Sequence, residues 1–83
     1  MKLTYDPRYN IAYIRFREKS ENVETIQLSD DVNVDIAPDG SLYGIELLNA
    51  NEQLRREDKG KFLLINEATG KQSAMEIFSD AVS

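Results

Sequence analysis

The stretch Val32-Asn33-Val34-Asp35-Ile36-Ala37-Pro38-Asp39-Gly40-Ser41-Leu42-Tyr43-Gly44-Ile45-Glu46-Leu47-Leu48 decides the fold. Val32, Val34 and Ile36 alternate with Asp31, Asn33 and Asp35, a period of two that sends one set of side chains to a core face and the other to water. Pro38 has a fixed φ and Gly40 takes a positive φ without penalty, so Pro38-Asp39-Gly40 reads as a tight turn. The apolar run from Leu42 to Leu48 is then expected to fold back antiparallel on residues 32–36. Gly44 within that run marks a bulge or a closely approaching neighbour.

Toward the N-terminus the same punctuation continues. Lys2 to Tyr5 reads as a strand and Asp6-Pro7-Arg8-Tyr9-Asn10 as a turn. Ile11 to Arg17 forms a second strand, with Ala12, Ile14 and Phe16 on one face and Tyr13, Arg15 and Arg17 on the other. A polar loop over Glu18 to Asn22 leads to a third strand, Val23 to Leu28, rich in β-branched residues.

Toward the C-terminus, Asn49 with Glu52 predicts a short helix from Ala50 to about Asp58. Phe62 to Asn66 returns to strand, and Glu67-Ala68-Thr69-Gly70 is a turn. Ser73 with Glu76 makes a capping-box pattern, and Ala74, Ile77, Phe78, Ala81 and Val82 follow helical spacing, so a helix is expected over 73–82. A strand from Lys71 to Ile77 is the competing reading. The fold class is α+β: one domain, residues 1–83, with an antiparallel β meander of about five strands and one or two short helices.

Composition removes whole classes of chemistry. The 83 residues include no Cys, which excludes disulfides, thiolate nucleophiles and Cys-ligated zinc. They include no His, which excludes Ser-His and Cys-His hydrolysis and His-based metal catalysis. The longest unbroken apolar runs, Ile11 to Ile14 and Phe62 to Ile65, fall far short of the about 20 residues of a membrane span. A cytoplasmic protein without membrane association is expected. The net charge of −5 repels phosphate backbones overall, so nucleic acid is not an expected partner and a small basic protein suits the chain better.

Asp31-x-Asn33-x-Asp35 matches half of a calcium loop, yet Ile36 and Leu42 stand where that loop needs Gly and Glu. An extended strand also spreads these carboxylates about 7 Å per two residues, too far apart to share one cation. Glu46 is a lone carboxylate on an apolar strand. Arg55 and Arg56 with Lys59 and Lys61 read as a solvated helix face. No serine or glycine pattern matches a nucleophile elbow, a phosphate loop or a dinucleotide fingerprint, and no cofactor, catalytic residue or metal ligand is assigned. Tyr13, Arg15 and Arg17 are the candidate interface residues, because an aromatic and two guanidinium groups on one strand face are the residue types that dominate interface hot spots.

Several short motifs recur in order: Tyr5-Asp6-Pro7, Ala12-Tyr13-Ile14-Arg15, Val32-Asn33-Val34-Asp35, and Asp39-Gly40 followed by Leu42-Tyr43-Gly44-Ile45-Glu46-Leu47-Leu48-Asn49-Ala50. Over residues 2 to 50 the chain thereby resembles the small prokaryotic family catalogued as domain of unknown function 2283. Tyr9, Asn10 and Ala37-Pro38 depart from the family pattern in its turns. The resemblance implies a small sheet-rich domain with no activity, cofactor or catalytic residue to carry over, and an antitoxin or accessory role as one expectation.

Two functions follow as expectations. The first is a non-enzymatic protein interaction module. The second is a small carboxylate-dependent or metal-assisted enzyme using Asp31, Asp35 and Glu46. A homodimer is expected as well, through a strand edge or the apolar C-terminal segment, because a short chain with two exposed sheet edges has apolar surface to spare.

Overall fold

A computed structural model describes residues 1–20 and 22–78, with Asp58 described through its backbone alone. The order of elements is β1 (Lys2–Asp6), β2 (Ile11–Arg15), β3 (Glu24–Ser29), β4 (Val32–Ile36), β5 (Leu42–Leu48), the helix α1 (Ala50–Arg55), a 3-10 turn (Asp58–Gly60), β6 (Lys61–Ile65) and β7 (Gln72–Glu76). The chain divides into two compact units, residues 1–51 and residues 52–83.

The first unit is a five-stranded antiparallel sheet in the order β1-β2-β5-β4-β3. The strand pairing expected across Pro38-Asp39-Gly40 is present, with Val34 opposite Ile45 and Asn33 opposite Glu46. Gly40 has φ 87° and donates its amide to the Ala37 carbonyl at 2.9 Å, closing the turn. At Asp35/Ile36 the register shifts, so Tyr43 is the extra residue of a bulge beside Gly44. β2 pairs with β5, placing Tyr13 opposite Glu46 and Arg15 opposite Gly44. The link from β2 to β3 therefore crosses to the far edge of the sheet.

β2 ends at Arg15, two residues earlier than the alternation predicts. Both the Arg15 Nε and a terminal nitrogen donate to carbonyls just beyond, those of Arg17 (2.6 Å) and Glu18, which curls the chain away from the ladder.

α1 begins where Asn10 receives it. Asn10, at φ 59°, accepts the Ala50 amide on its carbonyl (3.0 Å) and the Asn51 amide on its side-chain oxygen (2.5 Å). The Tyr5 hydroxyl donates to the Asn51 side-chain oxygen, so the start of α1, Ala50 and Asn51, lies at the Ala12 end of the sheet. Ala12 and Ala50 are both fully buried there. The helix is shorter than expected, ending at Arg55.

In the second unit, β6 and β7 form a two-stranded antiparallel sheet with Leu63 opposite Ala74. This corrects the helix expected over 73–82: residues Gln72–Glu76 are strand. The reason is the turn before them. The Asn66 side chain accepts the amides of Ala68 (3.0 Å) and Thr69 (3.3 Å), Gly70 takes φ 76°, and the Asn66 amide donates to the Lys71 carbonyl (2.9 Å). With the return path fixed, residues 72–76 find their backbone partners in β6, and strand pairing overrides a local helical spacing. Ala81 and Val82, which completed that spacing, lie outside the described residues.

Candidate functional site

The register sorts the side chains of the five-stranded sheet into two faces. On the apolar face Leu3, Ile14, Ile45, Val34 and Ile26 form one row across all five strands, and Tyr5, Ala12, Leu47 and Val32 form the next. On the polar face Lys2, Arg15, Gly44, Asp35 and Thr25 form one row, and Thr4, Tyr13, Glu46, Asn33 and Gln27 the next.

The polar face carries a connected hydrogen-bond network. Tyr13 lies diagonal to Asp35, and its ring reaches across the strand between them because the residue there is Gly44, which has no Cβ to obstruct it. Its hydroxyl donates to Asp35 Oδ2 at 2.7 Å, while the Thr25 hydroxyl donates to Asp35 Oδ1 at 2.6 Å. Burial and the adjacent Asp35 carboxylate both push the Tyr13 phenol well above the ordinary tyrosine range, so it stays a neutral donor. In the next row the Asn33 side-chain amide donates to Glu46 Oε1 at 2.9 Å.

The three residues singled out in sequence are divided by the structure. Tyr13 and Arg15 share the polar face, and the Arg15 guanidinium stands 5.6 Å from the centre of the Tyr43 ring. Arg17 lies past the end of β2 and pairs with Asp39 at 2.8 Å. Asp39 also accepts from the Ser41 hydroxyl (2.6 Å) and amide (3.0 Å), and these bonds, then Arg17, draw its carboxyl down to about 2.

The three carboxylates of the enzymatic expectation are not gathered together. Asp35 and Glu46 share the polar face, whereas Asp31 lies in the turn before β4, where its carbonyl accepts the Leu48 amide at 2.9 Å. Both oxygens of Asp35 already accept from protein hydroxyls. Among the described residues no three acidic side chains converge as a metal site.

Sequence reasoning missed Thr25, Tyr43 and the Asn33–Glu46 pair. The first and last follow once strand order is known, since Thr25 stands opposite Asp35 and Asn33 opposite Glu46. Tyr43 is the extra residue of the bulge that Gly44 marks, and which residue it is follows only from the register.

The family model described as protein of unknown function (DUF2283) matches residues 2–51. The chain belongs to this family. The DUF2283 match covers the five-stranded sheet and the first residues of α1, and so includes residues 2 to 50, where the ordered motifs lie. No curated protein and no solved structure matches the chain. Among the described residues no helix is long and apolar enough to cross a membrane.

Proposed function

We propose that this DUF2283 protein is a non-enzymatic interaction module that pairs with a second copy of itself through the apolar face of its five-stranded sheet. The observation that carries this reading is how little the chain buries. Among the described residues the buried apolar ones are Ala12, Ala37, Tyr43 and Ala50, and no large side chain is fully buried. Leu3 (37%), Phe16 (39%) and Ile26 (44%) remain exposed on or beside a face that carries no charge across its central row. Domains are built from two packed layers, and within residues 1–51 it is Ala50 and Asn51 that stand at the Tyr5 end of this face.

A second sheet of the same kind supplies the missing layer. Five strands of about five residues present a footprint of about 24 by 17 Å, or about 400 Å² per chain. Twofold pairing covers about 800 Å² of footprint, and more of accessible surface, which sits at the lower edge of specific interfaces and predicts a concentration-dependent dimer. Because both partners offer the same uncharged rows, a net charge of −5 on each chain does not oppose the contact at its centre.

Sedimentation equilibrium tests this. The wild-type chain is expected to dimerise in the micromolar range, with association weakened at least about tenfold in Ile26→Lys and unchanged in Gln27→Lys, its neighbour on the opposite face. A wild-type chain that stays monomeric to millimolar concentration, or equal effects of the two substitutions, overturns the reading.

A further inference from the structure

We propose that Lys2, Arg15 and Arg17 form a binding pocket for the phosphate group of a small ligand. The three cations line one cavity of about 200 Å³ together with Met1 and Glu18. Residues 1–51 hold only five basic residues against nine acidic ones, and three of the five converge here. The acidic chain thus carries a local positive charge at one corner of its sheet.

Strand register makes this clustering costly without a ligand. Lys2 stands directly opposite Arg15 on the polar face, and like charges in that position repel. Among the described residues neither Lys2 nor Arg15 is ion-paired with a carboxylate. The Arg15 guanidinium is nevertheless held in place, because two of its N–H groups donate to the Arg17 and Glu18 carbonyls and its plane lies near the Tyr43 ring. Those bonds leave three of its five N–H donors for another acceptor. A cation ordered by neutral carbonyls keeps its full charge and loses little freedom on binding an oxyanion.

The size and shape of the site select the ligand. A cavity of about 200 Å³ lies below the about 300 Å³ at which drug-sized ligands fit, so the ligand is small. Lys2 comes from β1, Arg15 from the end of β2 and Arg17 from the segment after it, so the three cations reach the cavity from three backbone positions. A tetrahedral phosphate dianion presents oxygens to all three, whereas a carboxylate presents two in one plane. Glu18 in the lining and Asp39, which pairs with Arg17, offset two of the three charges, and the excess is still positive.

Titration followed by backbone amide shifts reads the site directly, with inorganic phosphate, glycerol phosphate and acetate as separate probes. Saturable shifts centred on Lys2, Arg15 and Arg17 are expected with both phosphates. Affinity should fall at least about tenfold in Arg15→Gln and in Lys2→Gln, with no change in Arg8→Gln. Lys2 is exposed on an edge strand, so its replacement removes charge without disturbing packing. Tighter binding of glycerol phosphate than of inorganic phosphate identifies a phosphate ester as the ligand, and the reverse identifies the free ion. Acetate binding as tight as phosphate, an equal loss in Arg8→Gln, or no saturable shift overturns the proposal. The readout is local to this corner and does not depend on whether two sheets associate.

Discussion

Replacing Gly44 with alanine probes the centre of the polar network. A Cβ built at Gly44 overlaps the Oη and Cζ atoms of Tyr13 and comes within 2.9 Å of the Ile14 carbonyl oxygen. The Tyr13 ring must then swing aside and give up its 2.7 Å bond to the Asp35 carboxylate. Overpacking of this kind costs about 1–3 kcal/mol, and a lost hydrogen bond to a charged group about 1.5–3 kcal/mol. Relaxing one strain spends the other, so the net loss is about 2–4 kcal/mol. That is a large part of the about 4–12 kcal/mol expected for a chain of this length. Urea unfolding at one fixed protein concentration measures it, compared with the same substitution in a Tyr13→Ala background. With the ring gone the Ile14 carbonyl still crowds the new methyl, and the cost should drop to about 1 kcal/mol. An equal cost in both backgrounds refutes the placement of Tyr13 over Gly44.

Two titrations test the electrostatics. The Tyr13 phenol is raised in the fold, so its contribution is fully present below pH 10 and is lost as pH climbs toward the folded value. Ultraviolet difference titration of the wild type against Tyr13→Phe should assign to Tyr13 an ionisation well above the ordinary tyrosine range; a Tyr13 step at the ordinary value would contradict it. Asp39 is lowered from 3.8 to about 2, so its contribution is fully present above pH 3.8 and disappears as pH falls through about 2. Carboxyl carbon shifts should place its midpoint near 2, and Arg17→Gln should raise that midpoint only part of the way, since the bonds from Ser41 come first among its causes; no movement at all would remove Arg17 from the interaction.

Most of the sheet was legible because its information is local. The Val32–Ile36 alternation, the turn at Gly40 and the glycine at 44 each state their geometry within a few residues, and the strand, the turn and the bulge stand where they were read. What depended on distant partners was not legible. Ser73 and Glu76 carry a helix signature, and only the return path fixed by Asn66 and Gly70 turns them into a strand. Asn10 looked like a turn residue, yet its side chain takes up the amide of Asn51, 41 positions away. Tyr13, Arg15 and Arg17 were grouped by alternation, which holds only while the strand continues. Arg15 itself ends the strand by bonding the carbonyls ahead of it.

The strand order also sets a timetable for folding during synthesis. The β1–β2 hairpin leaves the ribosome first, but its inner edge pairs with β5, which is complete only when Leu48 has been made. A hairpin on its own is marginal in water, so residues 2–15 wait with open backbone groups while some thirty more are added. The β3–β4–β5 segment, joined by short turns, forms the template on which that waiting hairpin docks. Only then are the Asn10 acceptors in place to receive Ala50 and Asn51, so the helix begins after the five strands have met, as the latch on a sheet assembled from its two ends inward.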